Sequence, residues 1–194
     1  LSIPATVALF IASAPIISAL FGYGSFSELS VQNSALALYY FAFGLPAFSL
    51  IKVFSSFFFA RHDTKTPFYI SLVSVLLNVI VSVSLFSKIG FIIIPIATSI
   101  SSWFNAITLY IFSRKRNFFT FNKIFIFRFP RILLSSLIMG LIFYYLLYMF
   151  NEKLIYSENF KFLYLLLCVL ITLICYVLIS IFTKAFKLSD IKLN

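Results

Sequence analysis

Six long apolar runs separated by short polar connectors constrain this chain more than any other feature of its sequence. The runs cover residues 3–21, 36–59, 68–86, 91–112, 132–150 and 162–182. A helix needs about 20 apolar residues to cross a bilayer, whereas a transmembrane strand needs about 10 residues of alternating polarity. Because the runs are long and continuous, they predict an all-α polytopic membrane protein with six transmembrane helices.

The composition excludes a soluble protein, and with it a nucleic-acid surface as the explanation of the positive charge. Hydrophobic residues make up 62% of the 194 residues and charged residues only 10%, and the mean hydropathy is +1.09. Soluble domains carry about 25% charged residues. We therefore expect the net charge of +10 to report membrane orientation, because Lys and Arg accumulate in cytoplasmic loops.

The basic residues are divided unequally between the two sides of the predicted membrane. One side carries three of them, namely Lys88, Lys153 and Lys161. The other side carries twelve: Lys52, Arg61, Lys65, Arg114, Lys115, Arg116, Lys123, Arg128, Arg131, Lys184, Lys187 and Lys192. This split places both ends of the chain and its second and fourth connectors in the cytoplasm. Because Leu1 lies within a hydrophobic stretch, we expect the chain to be a piece of a longer protein.

Polar side chains recur at helical spacing on the third and fourth runs. Steps of three and four residues place each set on one stripe of its helix. The sets are Ser71, Ser74, Asn78 and Ser82 on the third run and Thr98, Ser101, Ser102 and Asn105 on the fourth. Only a few residues around Gly90 separate the runs, so we expect antiparallel neighbours whose stripes meet or line a shared cavity. Such residues either pack two helices together or form an ion or substrate site, and spacing leaves both readings open.

The fourth connector mixes basic residues with phenylalanines. Its sequence over 113–131 is SRKRNFFTFNKIFIFRFPR. Aromatic rings and cations together suit the headgroup layer of a membrane. We predict a cytoplasmic interfacial linker over 117–131, which either binds lipid headgroups or only anchors the topology.

Helix-breaking residues occur inside several runs. We expect interruptions at Pro15, at Gly44 and Pro46, and at Pro95. Discontinuous helices are typical of transporters that alternate between two states, although Gly and Pro are also common in membrane helices generally.

Catalytic groups are absent from the sequence in any recognisable arrangement. His62 is the single histidine, and no serine or cysteine nucleophile lies beside a base. An enzyme is therefore not predicted, and no cofactor is expected.

Two stretches around the second connector carry a family resemblance. They are GLPAFSLIKV over Gly44 to Val53 and FARHDTKTP over Phe59 to Pro67. With IPAT over 3–6, FGYGSF over 21–26, and ATS over 97–99 followed by Trp103, they resemble the MurJ (MviN) family. Its members are the lipid II flippases of the multidrug/oligosaccharidyl-lipid/polysaccharide exporter superfamily. The resemblance covers roughly residues 1–116.

The resemblance implies a place for this chain within a larger fold. Family members have fourteen spans in two lobes, so the six helices resemble the C-terminal portion, with both ends cytoplasmic. Residues 1–116 would be the last four helices of the second lobe. Residues 132–194 would be two lipid-facing helices, which line a groove for a lipid tail, and a cytoplasmic tail. We expect a bacterial cytoplasmic (inner) membrane protein that is monomeric at full length.

The resemblance also implies transport of lipid II. Members of the family move this undecaprenyl-linked peptidoglycan precursor from the inner to the outer leaflet by alternating access. In this interpretation Lys52, Arg61 and Lys65 attract or gate the headgroup, and Arg61 pairs with Asp63 at a moving loop. Alternatively, Lys52 only extends toward the interface, and Arg61 and Lys65 only fix the topology. The expected partners are lipid II and membrane lipids, without nucleic acid.

Some members of the family hold sodium in the second lobe, which implies a candidate ion site here. Asn78 and Thr98 match an Asn and a Thr ligand, and Ile94 matches the position of a carbonyl ligand. An Asp ligand of those members is replaced by Ser82, which removes a carboxylate that a hard cation favours. The resemblance places a further acidic ligand in the part of the family fold that precedes these six helices. With Ser82 in place of the Asp, the sequence argues against sodium coupling.

Two rival functions remain open on the sequence. One is a related exporter of another polyprenyl-linked saccharide or of drugs. Cationic residues lining the cavity of the missing first lobe would favour the pyrophosphate lipid over a cationic drug. The other is a non-transporting membrane scaffold for cell-wall proteins. The inward polar stripes and the helix breakers argue against the scaffold, because a simple anchor requires neither.

Overall fold

The structure, a computed structural model, describes residues 2–120, 123–156, 158 and 160–185. Within them no strand occurs, and six long helices follow one another along the chain. The helices are α1 (Ser2–Phe21), α2 (Glu28–Phe59), α3 (Lys65–Ile89), α4 (Ile93–Lys115), α5 (Lys123–Met149) and α6 (Lys161–Phe182). Short 3-10 turns lie at Gly90–Ile92 and Asn151–Lys153.

Five stretches of the described residues are long and apolar enough to cross a membrane. One of them, Lys65–Lys115, is 51 residues long and contains both α3 and α4. Hydrogen bonds from Asn78 to Thr98 and from Asn105 to Ser71 show that these two helices are antiparallel. With 25 and 23 residues, each reaches across about 30 Å of hydrocarbon. The chain is therefore a multi-pass helical membrane protein, as predicted.

Two helices begin before the apolar runs that predicted them. α2 begins at Glu28 instead of 36, and the amide of Ser30 donates to the Ser27 hydroxyl at 3.2 Å, as at a typical helix start. α5 begins at Lys123, so most of the predicted linker over 117–131 is helical. A prediction from hydropathy misses both extensions, because their polar residues lower the local mean hydropathy. Residues 121–122 of the linker, and the tail with Lys187 and Lys192, lie outside the described residues.

One of the expected helix interruptions is observed. Ala12 has φ −112° and ψ 16°, three residues before Pro15, which has no N–H for the carbonyl four residues earlier. The expected interruptions at Gly44 and Pro46 are wrong, because α2 continues past both as one helix of 32 residues. The one expected at Pro95 is also wrong. That residue lies in the first turn of α4, where backbone amides have no helical partner to lose.

The described chain divides into two compact units. Unit 1 consists of residues 3–36 and the described residues from 123 onward, that is α1, the first turns of α2, α5 and α6. Unit 2 consists of residues 37–120, that is the rest of α2 with α3 and α4. The predicted domains instead separated 1–116 from 132–194. That division concerns the lobes of a longer protein, and it stays a prediction.

In unit 1, α1 packs closely on α5. Ala12 and Ala19 of α1 share a buried core with Phe143 of α5 and Cys168 of α6. At Gly140 of α5, an added Cβ would lie 2.6 Å from Val7 Cγ1. Small residues of this kind let membrane helices approach one another closely.

In unit 2, α4 is tied to the backbone of α2. Ser99 Oγ donates to the carbonyl of Tyr40 at 2.6 Å, and Trp103 Nε1 donates to the carbonyl of Phe43 at 3.0 Å. A hydrogen bond between membrane helices keeps a polar group from facing lipid unpaired. These two bonds position α4 beside α2 and leave its other face to α3.

Candidate functional site

Unit 2 contains a polar cavity between α2, α3 and α4, with a volume of about 330 Å³. We call it the polar pocket. Its polar lining consists of Ser71, Ser74, Asn78, Thr98, Ser101, Ser102 and Asn105. These are all the members of the two predicted stripes except Ser82. The prediction that the stripes meet and line a shared cavity is confirmed.

A hydrogen-bond network joins the four residues of the predicted ion site. Asn78 Nδ2 donates to Thr98 Oγ1 at 3.1 Å, and Ser82 Oγ donates to Asn78 Oδ1 at 3.2 Å. Thr98 Oγ1 donates in turn to the carbonyl of Ile94 at 2.8 Å. The structure thus brings Asn78, Ser82, Ile94 and Thr98 together, while their role in ion binding stays a prediction.

The oxygens of this network are neutral and already accept hydrogen bonds from one another. Among the described residues, no group of three or more His, Cys, Asp or Glu side chains is placed to hold a metal ion. A sodium ion would have to displace the bonds of Asn78 and Thr98, and no such cluster among the described residues supplies a carboxylate to balance its charge. The donor set therefore fits a hydrogen-bonded contact between helices better than a cation site.

Asn105 leaves one acceptor of the polar pocket without a protein partner. Its Nδ2 donates to Ser71 Oγ at 3.3 Å, but its buried Oδ1 accepts no hydrogen bond in the structure. A buried acceptor left unpaired costs about 1–3 kcal/mol. Since the cavity is large enough for several waters, we expect a water or a ligand hydroxyl to donate to this oxygen.

Three of the charged candidates, Arg61, Asp63 and Lys65, lie where α2 and α4 end and α3 begins. The predicted pair of Arg61 with Asp63 is wrong. Asp63 instead forms a salt bridge with Arg116 and accepts hydrogen bonds from the amide and hydroxyl of Thr66, at 3.1 and 2.7 Å. Arg61 lies over the ring of Phe118, 4.3 Å from its centroid.

The backbone explains why Asp63 is directed to α3. Three residues after the end of α2, His62 adopts the left-handed region with φ 56°. The next amide, that of Asp63, donates to the carbonyl of Phe58 at 3.0 Å, a common way for a helix to end. The chain turns sharply there, and the Asp63 carboxylate binds the first turn of α3 at Thr66. Arg116 was missed because 53 residues separate it from Asp63, so no local spacing reveals the pair.

The hydrogen bonds from Thr66, and to a lesser degree Arg116, hold the pKa of Asp63 below its usual range. A group whose pKa is lowered on folding stabilises the folded state at any pH above its unfolded value, about 3.9 for Asp. That contribution is lost as the pH falls through the lowered pKa. The contact is therefore complete at neutral pH.

Asp63→Asn is expected to loosen the first turn of α3. The amide side chain keeps the size of the carboxylate, but it removes the charge that binds Arg116 and strengthens the bonds from Thr66. Hydrogen exchange of backbone amides over residues 64–70 should be faster in the variant at pH 7. The difference should shrink as the labelling pH approaches the lowered pKa of Asp63. Lys65→Gln, at an exposed neighbour, is the control; equal exchange in all three proteins would contradict the prediction.

The remaining charged candidates are not joined to this contact. Lys52 and Lys65 are exposed, and neither forms a salt bridge with a described residue. Exposure is compatible with contact to an anionic headgroup and with a topology signal alike. Their proposed roles stay predictions.

A buried cation in unit 1 was assigned by the sequence only to topology. Lys161, the first residue of α6, is 1% exposed and donates to the carbonyls of Gly22 and Tyr156 at 2.6 and 2.7 Å. Its Nζ lies 4.3 Å from the ring centroid of Tyr23 and 4.7 Å from that of Tyr156. We call these four residues the lysine cage. The sequence did carry one signal for this site. Lys161 lies at a helix N-terminus, where the helix dipole disfavours a cation, and tyrosines lie close to it along the chain.

Comparison with known proteins gives consistent matches. A family model described as "Lipid II flippase MurJ" matches residues 1–165. Proteins described as probable lipid II flippase MurJ match from Rickettsia prowazekii (strain Madrid E), at 36% identity over 80% of the chain, and Rhizobium meliloti (strain 1021), at 37% over 72%. A solved structure, "Lipid II flippase MurJ, inward closed conformation", matches 94% of the chain with a TM-score of 0.75 and 30% identity. The chain spans 32% and 26% of the two relatives and 36% of the solved chain.

Proposed function

Because this chain belongs to the lipid II flippase MurJ family, we propose that it forms the C-terminal part of a transporter. That transporter carries lipid II from the inner to the outer leaflet by alternating access, and it is not an enzyme. The match of the family model over residues 1–165 carries the proposal. The polar pocket supports it, because a buried cavity with an unpaired acceptor at Asn105 is costly in lipid and unnecessary in a simple anchor.

The proposed orientation follows from the distribution of basic residues. With twelve of them on one side and three on the other, the second and fourth connectors would be cytoplasmic and the protein would lie in the bacterial inner membrane. Exposed Lys52, Arg61 and Lys65 would then meet the pyrophosphate of lipid II at the cytoplasmic mouth. Cations bind phosphate oxygens by charge-assisted hydrogen bonds. We take the full-length protein to act as a monomer.

Depletion of the full-length protein tests the flippase proposal. We expect lipid II to accumulate in the inner leaflet, measured by the fraction that an externally added enzyme fails to reach. Restoring the parent protein should reverse the accumulation. If lipid II distributes normally while another polyprenyl-linked saccharide accumulates, the related exporter would replace lipid II transport as the function.

Removing the exposed charges tests the headgroup role. The double substitution Lys52→Gln and Arg61→Gln should abolish growth complementation, because it removes two of the three cations proposed to meet the headgroup. Lys153→Gln, an exposed lysine of the connector after α5, is the matched control and should complement fully. Full growth of the double variant, at parental amounts of inserted protein, would leave these residues with a topological role alone.

We further propose that the polar pocket works without sodium. The melting temperature of the full-length protein should be equal in sodium and potassium chloride at the same ionic strength. Ser82→Asp, which adds a carboxylate beside Asn78, should make the melting temperature rise in sodium, because an ion that binds only the folded state stabilises it. Ser87→Asp, at an exposed site on the same helix, should not. A sodium-dependent melting temperature of the parent would contradict this proposal.

A further inference from the structure

Unit 1 contains a cavity of its own, with a volume of about 470 Å³. It lies between α1, the first turns of α2 and the end of α5. Its floor is apolar and includes Ile11, Pro15, Val31 and Leu147. Its rim is polar and includes Ser18, Glu28, Gln32, Tyr144, Tyr148 and Tyr156. We call it the tyrosine pocket, and its volume is within the range of small-ligand sites.

Two polar side chains of the tyrosine pocket, Ser18 and Glu28, can accept a hydrogen bond from a ligand. Ser18 is 7% exposed, and its hydroxyl has no hydrogen-bond partner in the structure. Glu28 is exposed and forms no salt bridge with a described residue. Because Pro15 has no N–H, the carbonyl of Ile11 also loses its usual helical donor. A ligand that donates hydrogen bonds would therefore be favoured over an anion.

Aromatic rings and charge point to a cation. Tyr144 and Tyr148 line the pocket, and tyrosine rings attract an ammonium group. The ring of Tyr156 already faces the Lys161 ammonium, 4.7 Å from its centroid. No Lys or Arg is among the described residues that line the pocket, so a free phosphate would find no counter-charge. The carboxylate of Glu28 supplies the complementary negative charge.

The wall formed by Tyr156 is fixed before any ligand arrives. Its hydroxyl donates to the carbonyl of Phe26 at 2.6 Å, and its own carbonyl accepts from Lys161 at 2.7 Å. The lysine cage thus holds one side of the pocket in place. Ligand sites whose walls are already ordered lose less entropy on binding.

We propose that the tyrosine pocket binds a phospholipid with a primary ammonium headgroup, of the phosphatidylethanolamine class. The ammonium group would bind Glu28 and Ser18, and the first part of an acyl chain would lie on the apolar floor. The phosphate would stay in the headgroup layer, outside the pocket. In the orientation of the proposed function, the lipid would come from the outer leaflet. That assignment rests on the proposed function, whereas binding itself does not.

Native mass spectrometry of the full-length protein tests this proposal. The protein is released from nanodiscs that contain equal amounts of phosphatidylethanolamine and phosphatidylglycerol, and the retained lipids are counted. We expect phosphatidylethanolamine to be enriched. Glu28→Gln should lower its retention about tenfold, the loss expected for one charge-assisted hydrogen bond. Glu152→Gln, an exposed acid that does not line the pocket, should retain the lipid as the parent does.

A second variant and a second lipid make the test specific. Ser18→Ala keeps the charge but removes a buried acceptor, so it should lower retention by a smaller factor. Phosphatidylcholine, whose ammonium cannot donate hydrogen bonds, should be retained less than phosphatidylethanolamine. Equal retention of all three lipids, or no retained lipid because another segment of the protein fills the pocket, would overturn the proposal. Growth supported by Glu28→Gln with lowered lipid retention would support this site and leave the flippase proposal intact.

Discussion

Lys161→Met is expected to destabilise the full-length protein by about 2–4 kcal/mol, because it leaves two buried carbonyls without a donor. In the lysine cage the ammonium donates to Gly22 and Tyr156 and lies between the rings of Tyr23 and Tyr156. Methionine has a similar length and fills the space, but it donates no hydrogen bond. The apparent melting temperature, measured by size-exclusion chromatography after heating, should fall accordingly.

A matched lysine separates this effect from a general loss of charge. Lys153 lies in the same connector region but is exposed, so Lys153→Met should leave the melting temperature unchanged. The melting temperature of Lys161→Arg should be intermediate. The guanidinium keeps hydrogen-bond donors, but it is larger than the ammonium and would crowd a cage in which Lys161 is already only 1% exposed. If Lys161→Met has the same melting temperature as the parent, water molecules bind the two carbonyls in place of the lysine, and the lysine cage contributes little to stability.

Gly140→Ala is expected to destabilise the packing of α1 on α5 by about 1–3 kcal/mol, the usual cost of overpacking. The new Cβ would lie 2.6 Å from Val7 Cγ1 and 3.1 Å from Ile11 Cδ1. Valine is stiff at its first side-chain torsion and has no easy way to move aside. Helix propensity alone would favour alanine over glycine by about 1 kcal/mol. A net loss of stability therefore identifies the clash as the cause.

A double-mutant cycle tests the assignment to Val7. Val7→Ala removes the Cγ1 atom, so Gly140→Ala should cost much less in that background, and the coupling should be positive. Stability is measured as the midpoint of thermal inactivation of the full-length protein. If Gly140→Ala costs the same in both backgrounds, the helices relax apart and the contact at Val7 does not set their distance.

Hydropathy predicted the membrane helices well because lipid leaves little choice of structure. A backbone in hydrocarbon must satisfy its own hydrogen bonds, so a long apolar run becomes a helix. The stripes of Asn78 and Thr98 were predictable for the same reason, since polar groups in lipid must face protein. Helix ends were less predictable. Glu28 and Lys123 each begin a helix with a charged residue, and the polar or charged residues that follow in these extensions lower their hydropathy.

Two contacts between distant residues, those of Asp63 and Lys161, were beyond the sequence. Asp63 was expected to bind Arg61, two positions away, but the turn at His62 and the ends of α3 and α4 direct it to Thr66 and Arg116. Lys161 looked like any other connector lysine, and only the fold shows the carbonyls that it binds. In both cases the partner is chosen by the turn geometry and by helix packing, neither of which has a local pattern.

The length of α2 has a consequence for depth in the membrane. Its 32 residues extend about 48 Å at 1.5 Å per residue, whereas the hydrocarbon layer is about 30 Å thick. Tilt absorbs part of this excess. Because Glu28 and Gln32 are polar, we expect the remainder to extend beyond the hydrocarbon at the first turns of the helix. We therefore expect the rim of the tyrosine pocket to lie where lipid headgroups meet water, and its floor to lie at the level of their chains.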